Sequence, residues 1–185
     1  MTDLLIRDDR LTLREMTLDD WPAVHDYASQ PEACRYQAWG PNTPEESRAF
    51  VAWSVTEARK RPRRLYRFAA VLNDTGRLIG DGGLEIHSDR FRQGEISYIV
   101  HPDLWGQGYA TAIAQLLLRF GFEHLSLHRI MATCDPRNVA SARVLERIGM
   151  TYEGRQRHTM LLRDGWRDSS LYGMLDEDVY KDKKV

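Results

Sequence analysis

A chain of 185 residues with 42% hydrophobic and 29% charged side chains and a formal net charge of −1 fits one soluble globular domain, 1–185. The balanced charge excludes nucleic acid as the main partner, since phosphate-driven affinity needs clustered excess Lys and Arg. No apolar run approaches the roughly 20 residues of a membrane span, and no basic-then-apolar signal pattern opens the chain. With only Cys34 and Cys134, a disulfide framework is not expected, and a reducing, cytoplasmic location is.

Leu11 and Leu13 alternate with polar neighbours over 10–15, as in a half-buried strand. Thr17-Leu18-Asp19-Asp20 is a capping box, and the helix it opens carries Trp21, Val24, Tyr27 and Ala28 on one face. After a loop through Trp39-Gly40-Pro41, Thr43-Pro44-Glu45-Glu46 starts a second helix, for which Phe50 and Trp53 are the expected apolar stripe. The basic run 59–64 is expected as a solvated end that complements the helix dipole. Strands follow over 65–72 and 78–86, joined by the turn residues Asn73-Asp74-Thr75-Gly76.

A strand over 95–100 leads into a turn bearing Pro and Gly, then into a helix with Tyr109, Ile113, Leu116, Leu117 and Phe120 at helical spacing. A strand over 129–134 precedes a helix that starts at Asn138 and stops at Gly149. A hairpin over 152–162 and 166–175, turning at Asp164-Gly165, ends the chain. Helices interleaved with strands in this way predict an α/β sandwich around a mixed sheet.

The stretch from Gly94 to Leu118 organises the rest. Gly106 and Gly108 lack a Cβ, so a phosphate can approach the backbone, and the first-turn amides of the following helix point at it with the helix dipole behind them. Tyr109-Ala110 stands where a P-loop needs Lys-Ser/Thr, which disfavours nucleoside triphosphates. Thr111 stands where a dinucleotide fingerprint needs Gly or Ala, which weakens that reading too. Coenzyme A is the leading ligand, with a nucleotide-binding regulatory domain as a remote alternative.

Trp105-Gly106-Gln107-Gly108-Tyr109-Ala110 resembles the pyrophosphate loop of the GNAT N-acetyltransferase superfamily, and the segment from Asp135 to Gly149 resembles the one that closes the cofactor site in that family. Arg163-Asp164-Gly165-Trp166-Arg167-Asp168 is similar to the hairpin of the RimJ/RimL-like branch. The resemblance implies a GNAT-type α/β fold, with a mixed central sheet of about seven strands sandwiched by about four helices. It also implies acetyl-CoA as co-substrate, no metal, and an amine acceptor, either a protein N-terminus or a small molecule, attacking the thioester directly. The cofactor is expected against Tyr98, Ile99 and Val100, the loop Trp105, Gly106, Gln107 and Gly108, the first-turn residues Tyr109, Ala110 and Thr111, and Asn138, whose counterpart in the family bonds the amide arm of the cofactor.

Such a transfer sets two proton problems. At pH 7 a lysine amine costs about 4.6 kcal/mol to neutralise and an α-amine roughly 1 kcal/mol, at 1.36 kcal/mol per pKa unit. A base matters most for the former. Glu95, expected beside apolar Ile96 and near Tyr98, is the candidate base, and the family often places a glutamate there. Leu145 occupies the position at which many members carry a tyrosine acid, so the leaving thiolate falls to Ser141, in the first turn of its helix.

The six histidines show no metal-ligand spacing, no Gly-x-Ser-x-Gly elbow is present, and Cys134 is expected as a small buried residue. Trp39 and Trp166 are expected to line one slot for the acceptor. A non-catalytic acyl-CoA-binding module is the alternative function, and exposed strand edges leave room for a homodimer.

Overall fold

In a computed structural model, which describes residues 4–181, an eight-stranded sheet carries helices on both faces. The strands are β1 (Leu5–Arg7), β2 (Leu11–Glu15), β3 (Leu65–Leu72), β4 (Leu78–Ser88), β5 (Gln93–Val100), β6 (Arg129–Cys134), β7 (Thr151–Leu162) and β8 (Gly165–Leu175). Their order is β1-β2-β3-β4-β5-β6-β8-β7. Every neighbouring pair is antiparallel except β5 and β6, which run parallel.

The four longer helices are α1 (Trp21–Ala28), α3 (Pro44–Ala58), α4 (Tyr109–Arg119) and α5 (Val139–Arg147). Single turns α2 (Pro31–Cys34) and α6 (Asp178–Lys181) complete the set. The expected strands and helices are present, with boundaries moved by a residue or two. The eighth strand is β1, too short to show an alternation of its own.

The sheet divides the interior in two. Under α4 and α5 lies the larger core, in which Ile113 and Leu117 meet Phe68, Leu84, Ile96 and Ile130. Gly82 makes this approach possible, because a Cβ there would sit 2.7 Å from the Ile113 side chain. Under α1 and α3 lies a smaller core of Val24, Tyr27, Ala28, Val51 and Ala69.

Both capping boxes form: Asp20 Oδ2 accepts from the Thr17 amide at 2.8 Å, and Glu46 Oε2 accepts from the Thr43 amide at 2.7 Å. Of the apolar stripe expected on α3, Phe50 is half-buried and packs against the smaller core, whereas Trp53 is 43% exposed; the helix is buried mainly through smaller residues. Its buried residues are Ser47, Val51 and Ser54, and the two hydroxyls find partners in His25 Nδ1 at 3.0 Å and the Phe50 carbonyl at 2.9 Å. Small side chains let α3 lie close to α1, and Phe50 and Trp53 also flank a cavity. The basic run is only partly a solvated end: the Arg63 guanidinium forks onto Glu15 and stacks over Tyr66 at 4.2 Å, and Arg64 pairs with Asp89.

One buried polar cluster ties the two layers together. The Tyr27 hydroxyl donates to Asp81 Oδ2 at 2.7 Å, and Arg67 Nη1 donates to Asp81 Oδ1 at 2.9 Å. Burial, then the Asp81 carboxylate, push the Tyr27 phenol well above its ordinary range. Tyr27→Phe leaves half of this bond to a charged group unmade, so a loss of about 1.5–3 kcal/mol is expected. Urea unfolding with an unchanged m-value checks it.

Candidate active site

β5 and β6 pair over only three residues, Gln93 with Arg129, Gly94 with Ile130 and Glu95 with Met131. Beyond Glu95 the strands diverge, so 96–100 has no strand partner on the β6 side. The result is a fork in the middle of the sheet, with main-chain groups facing an open wedge. At its apex Glu95 Oε1 accepts from Thr133 Oγ1 at 3.1 Å across the gap, and Oε2 lies 3.4 Å from His87 Nε2. His87 reaches it from an irregularity in the β4–β5 register between Ile86 and Ser88. The apolar surroundings expected for Glu95 are therefore replaced by two polar side chains at a half-buried position.

The loop after β5 has the form expected of an anion cradle. Gly106 and Gly108 adopt φ of +76° and +83°, a region that disfavours side chains. Gly108 is the N-cap of α4 and supplies no side-chain cap, so the first-turn amides of Tyr109, Ala110 and Thr111 have no helical acceptor. Thr111 Oγ1 is buried in the same turn without a partner. Nothing lies within 4 Å of a Cβ built on Gly106. First-turn amides without helical acceptors, beside open space at Gly106, fit a diphosphate.

Arg10, in the bend just before β2, braces the loop, donating to the Gln107 carbonyl at 3.1 Å and lying 4.3 Å over the Tyr109 ring. Trp105 is used internally: its indole N–H donates to the Val100 carbonyl at 2.8 Å. That bond pins the loop to the end of β5 and occupies one of the main-chain groups expected to face the cofactor.

Across the wedge, Asn138 caps α5 by accepting the Ser141 amide at 3.1 Å. The Ser141 hydroxyl is 3.1 Å from the hydroxyl of Tyr98. Burial raises the Tyr98 phenol far above its ordinary range, so it stays protonated and able to donate. This pairing is invisible in the sequence, where Tyr98 figures as a strand residue 43 positions away. Leu145 is fully buried and offers no hydroxyl. Cys134 is buried as expected, and desolvation pushes its thiol to about 11 despite opposing influences from Arg167 and Ser141.

A cavity of about 640 Å³ lies on the α1–α3 face of the sheet, walled by Trp39, Phe50 and Trp53, with Arg67, Asp81 and Ser97 among its polar lining. Tyr98 and Ile99 line it too, so it opens onto the unpaired part of β5. Trp166 is not there. It borders a separate polar recess beside Asp135 and Arg137, stacked on His158 with centroids 6.3 Å apart. Trp39 and Trp166 thus do not share the one slot expected of them, because the β7–β8 tip carries Trp166 past the end of β6.

Among the described residues no group of three or more His, Cys, Asp and Glu could hold a metal ion. His101, the buried histidine, accepts from the Asp103 amide at Nδ1, and its Nε2 lies 3.2 Å from Asp26 Oδ2 and 3.0 Å from the Gln30 side-chain amide. Among the same residues no helix is long and apolar enough to cross a membrane.

The sequence model of the acetyltransferase (GNAT) domain matches residues 10–151. The chain is 33% identical over 173 residues to the uncharacterized N-acetyltransferase YnaD of Bacillus subtilis, covering 94% of this chain and 98% of that protein. The crystal structure of a GNAT-family acetyltransferase from Bacillus anthracis superposes with a TM-score of 0.82 at 32% identity, covering 94% and 99% of the two chains. RimJ of Mycobacterium smegmatis, solved in complex with CoA-disulfide, shares the fold with a TM-score of 0.80 at 24% identity over 96% of this chain and 88% of that one. With a forked sheet, a glycine cradle at a helix mouth and relatives spanning nearly its whole length, the chain belongs to the GNAT family of acetyltransferases and is an N-acetyltransferase.

Proposed function

We propose that this enzyme moves the acetyl group of acetyl-CoA to a primary amine by direct attack. The observation that carries the reading is that β5 serves two sites at once: its end feeds the glycine cradle, and its unpaired residues form a wall of the 640 Å³ cavity. A thioester laid along the fork would face an acceptor held in that cavity. When bound, acetyl-CoA supplies the activated acetyl group.

The chain supplies the rest. Gly106, Gly108 and the amides of Tyr109, Ala110 and Thr111 hold the diphosphate, with Trp105 and Gln107 shaping the loop, and Asn138 and the main chain of Tyr98, Ile99 and Val100 orient the arm. Glu95 takes a proton from the amine, directly or through a water, steadied by Thr133 and His87. Ser141, beside the Tyr98 hydroxyl, gives a proton to the departing sulfur. Trp39 stands in the wall of the acceptor cavity. Cys134, protonated at neutral pH with its thiol near 11, is a poor nucleophile, which favours direct attack over an acyl-enzyme.

An acceptor screen with acetyl-CoA at several pH values tests this. In Glu95→Gln, kcat/KM for a lysine-type amine at pH 7 should fall about 100-fold. It should recover as pH approaches the amine's own pKa, where the neutral nucleophile no longer needs a base. For an α-amine the loss should be smaller, because only roughly 1 kcal/mol of neutralisation is at stake. Near-full turnover of Glu95→Gln across the range removes Glu95 from this role. Acetyl-CoA binding without thiol release from any amine would mark a binding module instead.

A further inference from the structure

The second recess, about 360 Å³, lies where β6, β8 and β7 run past the apolar centre of the sheet. Most of its charges are matched. Arg137 bridges Asp135 at 2.8 Å and Asp164 at 2.9 Å, and Arg155 holds Asp168 at 2.6 Å. Arg167 is the exception. It is 9% exposed, its Nε and Nη1 are shut off from solvent without a partner, and Nη2 meets the Met160 thioether at 3.0 Å. Asp135 is near enough to feel its charge, but both carboxylate oxygens of Asp135 are taken by the Arg137 side chain.

A guanidinium offers five donors in a rigid fork that matches a carboxylate or a phosphate, whereas a thioether is a weak acceptor. A buried charge left in that state is costly. Met160 is also the kind of partner that can leave, being unbranched and flexible. The recess adjoins the α5 side of the fork, since its lining Asp135-Pro136-Arg137 runs directly into Asn138, the cap of the helix that carries Ser141.

We infer that this recess is an oxyanion subsite, in which a carboxylate or phosphate carried by the amine acceptor displaces the Met160 thioether and is held by Arg167. The assignment to the acceptor rests on the transferase reading above; the anion preference of the recess does not. His158 and Trp166 border the recess beside the bound group. The acceptor class is then an amine that bears an anionic group, rather than a polyamine.

Calorimetry of the full chain saturated with acetyl-CoA, using benzoate, phenyl phosphate and neutral benzamide as probes, tests the subsite directly. Benzoate or phenyl phosphate should bind at least tenfold more tightly than benzamide, and the stronger of the two identifies the oxyanion. Arg167→Gln should erase the difference, and Arg167→Lys should restore part of it. Met160→Glu, which places a carboxylate of the chain itself on the guanidinium, should raise the melting temperature and abolish benzoate and phenyl phosphate binding. Equal binding of all three probes, an undiminished preference in Arg167→Gln, or undiminished anion binding in Met160→Glu overturns the subsite.

Turnover separates the two readings. With amines matched except for a carboxylate, Arg167→Gln should raise KM for the anionic member at least tenfold and leave kcat within a few-fold. Anion binding with no acetyl transfer to any amine would sink the transferase reading alone. Transfer with no anion preference would sink the subsite alone.

Discussion

Gly108→Val is expected to weaken CoA and acetyl-CoA about 100-fold, a loss of about 2.7 kcal/mol, while the protein remains folded. Gly108 holds φ at +83° as the N-cap of α4, and a side chain in the left-handed region costs roughly 1–2 kcal/mol. A Cβ there would meet Arg10 Nη1 at 3.6 Å, an ordinary contact with a flexible group. No internal clash therefore forces unfolding, and the larger loss falls on the ligand. The isopropyl group would stand in the space through which a diphosphate reaches the amides of Tyr109 and Ala110, and relief of backbone strain would turn those amides away. Gly76→Val supplies the control, because Gly76 has φ of +70° with nothing within 4 Å and lies in the β3–β4 turn, outside the cradle loop. Calorimetry should show its CoA affinity unchanged and a similar loss of melting temperature. Wild-type affinity in Gly108→Val would remove the cradle.

Ser141→Ala should lower kcat about 100-fold, in the range lost with a positioned proton donor, and leave acetyl-CoA affinity within about threefold. The reason lies in what else surrounds Ser141. Leu145 is fully buried and apolar, Cys134 holds its proton tightly, and the remaining hydroxyl is that of Tyr98, 3.1 Å from Ser141 Oγ. Kept neutral by burial, the Tyr98 phenol can donate a hydrogen bond that steadies Ser141 Oγ as its proton leaves. Single-turnover rates with a verified amine, set beside equilibrium binding, separate the two contributions. Equal losses in rate and affinity would reduce Ser141 to a binding contact.

Much of the architecture was legible locally. Thr43 and Glu46 announce α3 because a capping box satisfies amides within four residues, and 65–72 and 129–134 stand out because short apolar segments bounded by turns have few alternatives to a strand. The cradle was legible for a similar reason, since it is built by neighbours in the chain. Where the readings failed, the missing information was distant. Trp53 resembles a core residue until α1 is placed against Ser47 and Val51, whereas Phe50 does pack on the smaller core. Trp39 and Trp166 resemble one aromatic slot until the β7–β8 tip is placed beyond β6. Glu95 has apolar sequence neighbours, yet in a strand these point to the other face, and its true neighbours come from β4 and β6.

The sequence by itself determined the element order, the glycine loop at the mouth of α4, and hence the family and the class of ligand, because caps, turns and left-handed glycines act over a few bonds. Only the tertiary structure decided how Glu95, Tyr98 and Ser141 are surrounded and where the cavities lie. Glu95 with Thr133 across the gap and Tyr98 with Ser141 are products of strands that diverge after three paired residues. Such divergence is set by packing across the whole sheet, which no local pattern encodes.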